Sequence, residues 1–144
     1  MEHRPIEILL VEDEEADIDI ILHSLKSSKI INRINYVLDG EQAMAYLRKE
    51  DPYSDVLRPD LVLLDLNLPR KSGREVLEEV KNDPGLRRIP IVVMTSSNSE
   101  EDIIISYDAH ANCYIRKPVN LTEIEKVVKS IEMFWLTIVT IPPR

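Results

Sequence analysis

The chain has 144 residues, 44% of them hydrophobic and 31% charged, with a formal net charge of -8 at pH 7. That suits one domain of ordinary size with its own core, and the acidic balance argues against nucleic acid as the main partner, because phosphate backbones select basic surfaces. A single cysteine, Cys113, excludes an internal disulfide and a cysteine-based zinc site, and reads as a small buried hydrophobe.

In chain order, a strand over Glu7–Val11 carries the run Ile8-Leu9-Leu10-Val11 and ends at Glu12-Asp13. A helix over Glu15–Ser27, a strand over Arg33–Leu38 and a helix over Glu41–Lys49 follow. Glu50–Pro59 is long for a helix-to-strand connection and reads as a surface loop shaped by Pro52 and Pro59. Leu61–Asp65 is the next strand; four apolar residues in a row predict burial on both faces. A helix over Arg74–Asn82 starts from the capping signal Ser72-x-x-Glu75 and stops before Asp83-Pro84-Gly85. Then come a strand over Ile91–Thr95, a fourth helix over Glu100–His110, a strand over Cys113–Arg116 and a fifth helix over Leu121–Trp135, capped by Asn120-x-x-Glu123. The tail Leu136–Arg144 prolongs that helix or forms an extended arm. No apolar stretch approaches the roughly 20 residues that span a bilayer. Met1-Glu2-His3-Arg4-Pro5 lacks a signal-peptide core, so a cytoplasmic location without membrane contact is expected.

Five strands alternating with five helices predict an α/β fold, a doubly wound parallel sheet covered on both faces. No second domain is expected: residues 1–144 read as one unit, with a core of about 6–135 and an extension of about 136–144. In such sheets ligands bind beyond the carboxyl ends of the strands. Glu12, Asp13, Asp65, Thr95 and Lys117 all fall at or just after those ends. Asp65 would be costly to bury there unless something cationic meets it.

Glu12, Asp13 and Asp65 offer oxygen ligands only, which suits Mg2+. Without a cation the three carboxylates repel; with one, they stay ionised and one is available to attack phosphorus, giving an aspartyl-phosphate. The transition state spreads negative charge over three equatorial oxygens. The cation can meet one, the Lys117 ammonium another, and the Thr95 hydroxyl with nearby backbone N–H groups the third.

Together Glu12-Asp13, Asp65-x-Asn67-x-Pro69-x-x-x-Gly73, Thr95-Ser96 and Lys117-Pro118 resemble the response-regulator receiver domain over almost the whole chain, from about residue 6 to 135. The resemblance implies a flavodoxin/CheY-like fold with strand order 2-1-3-4-5. It implies that Asp65 accepts a phosphoryl group from the phosphohistidine of a sensor histidine kinase. Glu12, Asp13, Asp65 and the Asn67 backbone carbonyl would hold Mg2+. Thr95 would reorient toward the phosphoryl group, Tyr114 would rotate inward, Ser96 would leave the phosphate accessible, and the Lys117-Pro118 bond would be cis. Two departures are mild: Glu12 stands where Asp is also common, and Ser97 follows Thr95-Ser96 where members differ. A narrower resemblance, to the single-domain regulators that partner cyanobacterial and bacterial phytochrome kinases, lies in Asp65-Leu66-Asn67-Leu68-Pro69, Gly73-Arg74-Glu75-Val76-Leu77, Asn112-Cys113-Tyr114 and Phe134-Trp135-Leu136-Thr137. It implies a stand-alone regulator that promotes its own phosphorylation and dephosphorylation without being a turnover enzyme. Such a regulator signals through protein contacts or a further phosphorelay.

Each residue also has a plainer reading. Glu12 and Asp13 suit a helix N-terminus on charge alone, and Tyr114 could be a static core aromatic. Positions 124, 127, 128, 131, 134, 135 and 138 form one apolar stripe on the fifth helix, while Met133 and Leu136 fall off it. With Ile103-Ile104-Ile105 and Tyr107, this predicts a homodimer through helix four, strand five, helix five and the tail. The bland alternative is that the tail folds back over helix five. His23-Ser24-Leu25-Lys26 superficially matches a phosphotransfer motif but belongs to an α/β chain. Among rival functions, a haloacid-dehalogenase-like phosphohydrolase needs an acid where Asn67 stands. A flavodoxin-like carrier needs a phosphate cradle where Glu12-Asp13-Glu14-Glu15 would repel phosphate. A pseudo-receiver would not need the full set of acids, threonine and lysine.

Overall fold

Strands whose side chains are apolar on both sides must be covered on both sides, and β1 (Ile6–Val11) and β3 (Leu61–Asp65) are buried at every position. In this computed structural model, residues 5–27, 31–95 and 113–116 are described, with the backbone alone at Thr95 and 113–116. The remaining elements are α1 (Glu15–Lys26), β2 (Asn32–Val37), α2 (Gly40–Leu47), α3 (Gly73–Lys81), β4 (Ile91–Thr95) and β5 (Cys113–Arg116). The strands form one sheet, parallel as the alternation of strands and helices predicts and in the order β2-β1-β3-β4-β5 that the family resemblance implies.

Successive strand residues point to opposite faces, and two cores result. Leu9 and Val11 of β1, Val62 and Leu64 of β3, and Ile91 and Val93 of β4 pack with Ala43, Met44 and Leu47 of α2 and Val76, Leu77 and Val80 of α3. On the other face, Ile8, Leu10, Leu61, Leu63, Val92 and Met94 pack with Ile18, Ile21 and Leu25 of α1. Each fully buried side chain of this kind is worth about 1.5–3 kcal/mol of transfer free energy.

The element limits differ from the sequence reading by a residue or two, each for a visible reason. β1 starts at Ile6, whose N–H donates to the Ile31 carbonyl at 3.0 Å. β2 ends at Val37 because the Leu38 N–H turns out of the sheet to the Gln42 Oε1 at 2.8 Å. α2 starts at Gly40 because Asp39 caps it, its Oδ1 accepting the Gln42 N–H at 2.8 Å. It stops at Leu47, before Lys49 at φ 56°. Ser72 caps α3 as expected, its hydroxyl accepting the Glu75 N–H at 3.2 Å. The loop after α2 is not wholly superficial: Tyr53 and Val56 pack against the core, with the Tyr53 ring 5.3 Å from that of Tyr46. The predicted fourth and fifth helices, the tail, Lys117-Pro118 and the helical part of the predicted dimer face lie outside the described residues.

Candidate functional site

Strand register decides what meets at the carboxyl edge. Val11 pairs with Leu64, so Glu12, one residue on, is level with Asp65. Asp65 pairs with Met94, and Thr95 with Arg116, so the ends of β3, β4 and β5 share that edge. Lys117 is the next residue in the chain.

The register brings three of the predicted residues together. Ligand oxygens of Glu12, Asp13 and Asp65 all lie within 4.8 Å of one another. Among the described residues this is the one group of three or more His, Cys, Asp or Glu side chains with metal-ligating geometry. Glu12 is fully buried and Asp65 nearly so, whereas Asp13 is exposed. Two of the three carboxylates are thus buried and the third lies at the surface.

Local backbone orients the acids. Glu12 Oε2 accepts the Asp13 N–H at 3.0 Å and the Glu14 N–H at 3.2 Å. Glu14 is the N-cap residue of α1 and makes no capping hydrogen bond with its own side chain. Glu12 therefore also serves the helix start, so the metal and helix-terminus readings coexist. Asp65 Oδ1 accepts the Asn67 N–H at 3.1 Å, which fixes the carboxylate to the β3–α3 loop. The loop is closed by the Gly73 N–H donating to the Leu66 carbonyl at 3.0 Å. Gly73 is required there: a Cβ would overlap the Asp65 carbonyl and come 2.6 Å from the Leu66 Cα.

The donor set fits a hard divalent cation. Carboxylate oxygens at this spacing favour Mg2+ or Mn2+ over softer metals, and few protein ligands leave room for water. Thr95 ends β4 at the same edge, but the surroundings of its hydroxyl, of the Tyr114 ring and of Lys117 lie outside the described residues. Sequence reasoning did not single out Asp39, Gly40 and Arg70, which join α2 to the β3–α3 loop: Arg70 Nε lies 3.5 Å from Asp39 Oδ2. The Asp39-x-x-Gln42 spacing held a capping signal, but nothing local linked it to Arg70.

The response-regulator receiver-domain family model matches residues 8–129. Response regulator Rcp1 of Synechocystis sp. is 50% identical over 138 residues, covering 96% of this chain and 94% of its own. A crystal structure of the Mn2+-bound form of Rcp1 aligns with a TM-score of 0.85, covering 96% of this chain and all of that one. The phosphorylated cyanobacterial phytochrome response regulator RcpA aligns with a TM-score of 0.87 at 52% identity, over 97% of this chain and 100% of that one. The bacteriophytochrome response regulator RtBRR shares 37% identity at a TM-score of 0.79, covering 97% and 86%. The chain belongs to the response-regulator receiver family, whose role is to be phosphorylated on an aspartate in two-component signalling. Members of this kind are generally not turnover enzymes, and they bind Mg2+ or Mn2+ at an acidic pocket.

Proposed function

We propose that this chain is a stand-alone response regulator that accepts a phosphoryl group from a sensor histidine kinase onto Asp65. The observation that carries the reading is the meeting of Glu12, Asp13 and Asp65 oxygens within 4.8 Å at the carboxyl edge of the sheet. An Asp65 carboxylate oxygen attacks the phosphorus of the kinase phosphohistidine. The P–N bond breaks as the P–O bond forms, and the electron pair leaves with the imidazole. Glu12, Asp13, Asp65 and the Asn67 backbone carbonyl would hold Mg2+, which would neutralise charge on the transferring group. The Asn67 N–H donates to Asp65 Oδ1 and so restrains that carboxylate. Lys117 meets a second phosphoryl oxygen and Thr95 a third. The new charge, roughly two negative units, then biases a two-state arrangement of Thr95 and Tyr114 and so alters a remote interface. The chain supports its own phosphorylation and dephosphorylation and turns over no other substrate.

The upstream kinase is a phytochrome. Support comes from the 50–52% identity to Rcp1 and RcpA, the second described as a phytochrome response regulator. Two cores built on the two faces of one sheet support a single receiver domain over 1–144. The apolar excess in the sequence of the predicted fourth and fifth helices supports homodimerisation through predicted helix four, strand five, predicted helix five and the tail. Among the described residues no helix is long and apolar enough to cross a membrane, which supports action in the cytoplasm.

The test is intact-mass spectrometry after incubation with acetyl phosphate and Mg2+. A gain of about 80 Da, one phosphoryl group on the attacking carboxylate, is expected in the wild type and absent both in Asp65→Asn and with chelator. No gain in folded, Mg2+-loaded wild type, with no beryllofluoride binding either, would leave a pseudo-receiver.

A further inference from the structure

The β3–α3 loop carries Asn67, and the backbone pays a conformational cost just beyond it. Arg70 sits at φ 64°, in the left-handed region that a residue with a Cβ avoids. Its guanidinium reaches back to the start of α2. Nε lies 3.5 Å from Asp39 Oδ2, and Nη1 lies 3.9 Å from Glu41 Oε2. Asp39 is buried and serves two elements, because its Oδ1 also caps α2 through the Gln42 N–H. Beside this pair the two backbones touch: a Cβ on Gly40 would overlap the Lys71 carbonyl. Lys71 anchors the far end of the loop on α3, with Nζ 2.6 Å from Glu79 Oε2. At its near end the loop is joined to the acidic site through Asn67 N–H and Asp65 Oδ1.

We propose that Arg70 is a positioning residue: its clasp on Asp39 and Glu41 holds the β3–α3 loop so that the Asn67 backbone meets the acidic site, which sets divalent-cation affinity and the rate of Asp65 phosphorylation. This rests on the reading of Glu12, Asp13 and Asp65 as a cation and phosphoryl site. The sign of the effect separates positioning from simple electrostatics. Arg70 is a cation near an acidic pocket, so by charge alone its removal tightens cation binding, and removal of the Asp39 charge weakens it. A clasp requires both removals to weaken it. Because both substitutions remove the same Arg70–Asp39 contact, the two losses are not additive. Arg70 is 67% exposed at its side chain, so salt screens the clasp.

The experiment is Mg2+ titration by calorimetry, together with acetyl-phosphate phosphorylation rates, on the full chain and on Arg70→Ala, Arg70→Lys, Asp39→Asn and the Arg70→Ala/Asp39→Asn pair. Asp39→Asn keeps the acceptor for the Gln42 N–H, so the α2 cap survives. Arg70→Ala and Asp39→Asn are each expected to weaken Mg2+ binding roughly two- to fivefold, the scale of an exposed ion pair. The double variant should be no weaker than the worse single one, and Arg70→Lys should recover part of the loss. The gap between wild type and Arg70→Ala should close in high salt. Tighter binding in Arg70→Ala, additive losses, or an unchanged affinity and rate would each overturn the clasp. A wild type that neither binds Mg2+ nor gains a phosphoryl group overturns the parent reading instead.

Discussion

Asp65→Asn removes one negative charge from the acidic site while keeping the side chain's shape and the Oδ1 acceptor for the Asn67 N–H. In the metal-free protein this variant is expected to be more stable than the wild type. The oxygens of Glu12, Asp13 and Asp65 lie within 4.8 Å of one another. At that separation one pair of unit charges repels by about 0.9 kcal/mol in a water-like dielectric and about 3.5 kcal/mol at an effective dielectric near 20. Buried Glu12 lies toward the upper figure and exposed Asp13 toward the lower. Losses in hydrogen bonding by the new amide offset part of this, leaving a net gain of about 2 kcal/mol. Mg2+ reverses the order, because a ligand stabilises the state that binds it, and the wild type binds it better. Urea unfolding of both proteins, once with chelator and once with saturating Mg2+, measures the two differences. The chelated midpoints should differ by about 1 M if the slope is near 2 kcal/mol per molar urea. A variant less stable than wild type in chelator, or one that gains as much from Mg2+ as wild type does, refutes the reasoning.

Two further outcomes are expected. Gly73→Ala places a Cβ against the Asp65 carbonyl and Leu66 Cα, backbone that cannot swing aside, so it should lower stability by about 2 kcal/mol in denaturant titration and slow phosphorylation by displacing Asp65. Tyr46→Phe loses the hydrogen bond that the Asn35 amide donates to the Tyr46 hydroxyl at 2.9 Å, at about 1 kcal/mol. Burial pushes the Tyr46 phenol above its ordinary value of 10.0. The folded state then holds that proton more tightly than the unfolded one. Wild type should therefore lose stability as pH rises from about 10 through the raised value, and denaturation midpoints of Tyr46→Phe should lack that component of the decline.

How much of this was legible before the structure depended on whether a signal was local. β3, β4 and β5 keep the limits read from the sequence, and in β3 and β4 a short apolar run bounded by polar residues marks a buried strand by itself. Placing Glu12, Asp13 and Asp65 together needed only the rule that parallel strands align their carboxyl ends. β2 was harder to bound, since it is a half-exposed edge strand whose end is set by the Gln42 side chain. The Arg70 to Asp39 contact joins residues distant in sequence and leaves no periodic trace, so only the folded chain reveals it.

Strands apolar on both faces raise a problem that the rest of the sheet must solve. Where one face is buried and one wet, a one-residue slip would expose the core, and alternation alone fixes register. In β1 and β3 both faces are buried, so alternation discriminates weakly. What pins these strands lies at the amino edge. Glu7 N–H donates to Asp60 Oδ2 at 2.9 Å, and Asp60 N–H donates to the Glu7 carbonyl at 2.7 Å. Both residues are buried, and Arg33 pairs with the Glu7 carboxylate at 3.3 Å. A slip would break this reciprocal pair and leave buried polar groups to be satisfied elsewhere, at about 1–3 kcal/mol each. The pair holds Ile8 opposite Leu61, hence Val11 opposite Leu64, hence Glu12 level with Asp65. The acids of the amino edge thus set the spacing of the acids at the carboxyl edge, where a shift of one residue, about 3.3 Å, would take Asp65 out of ligating range of Glu12.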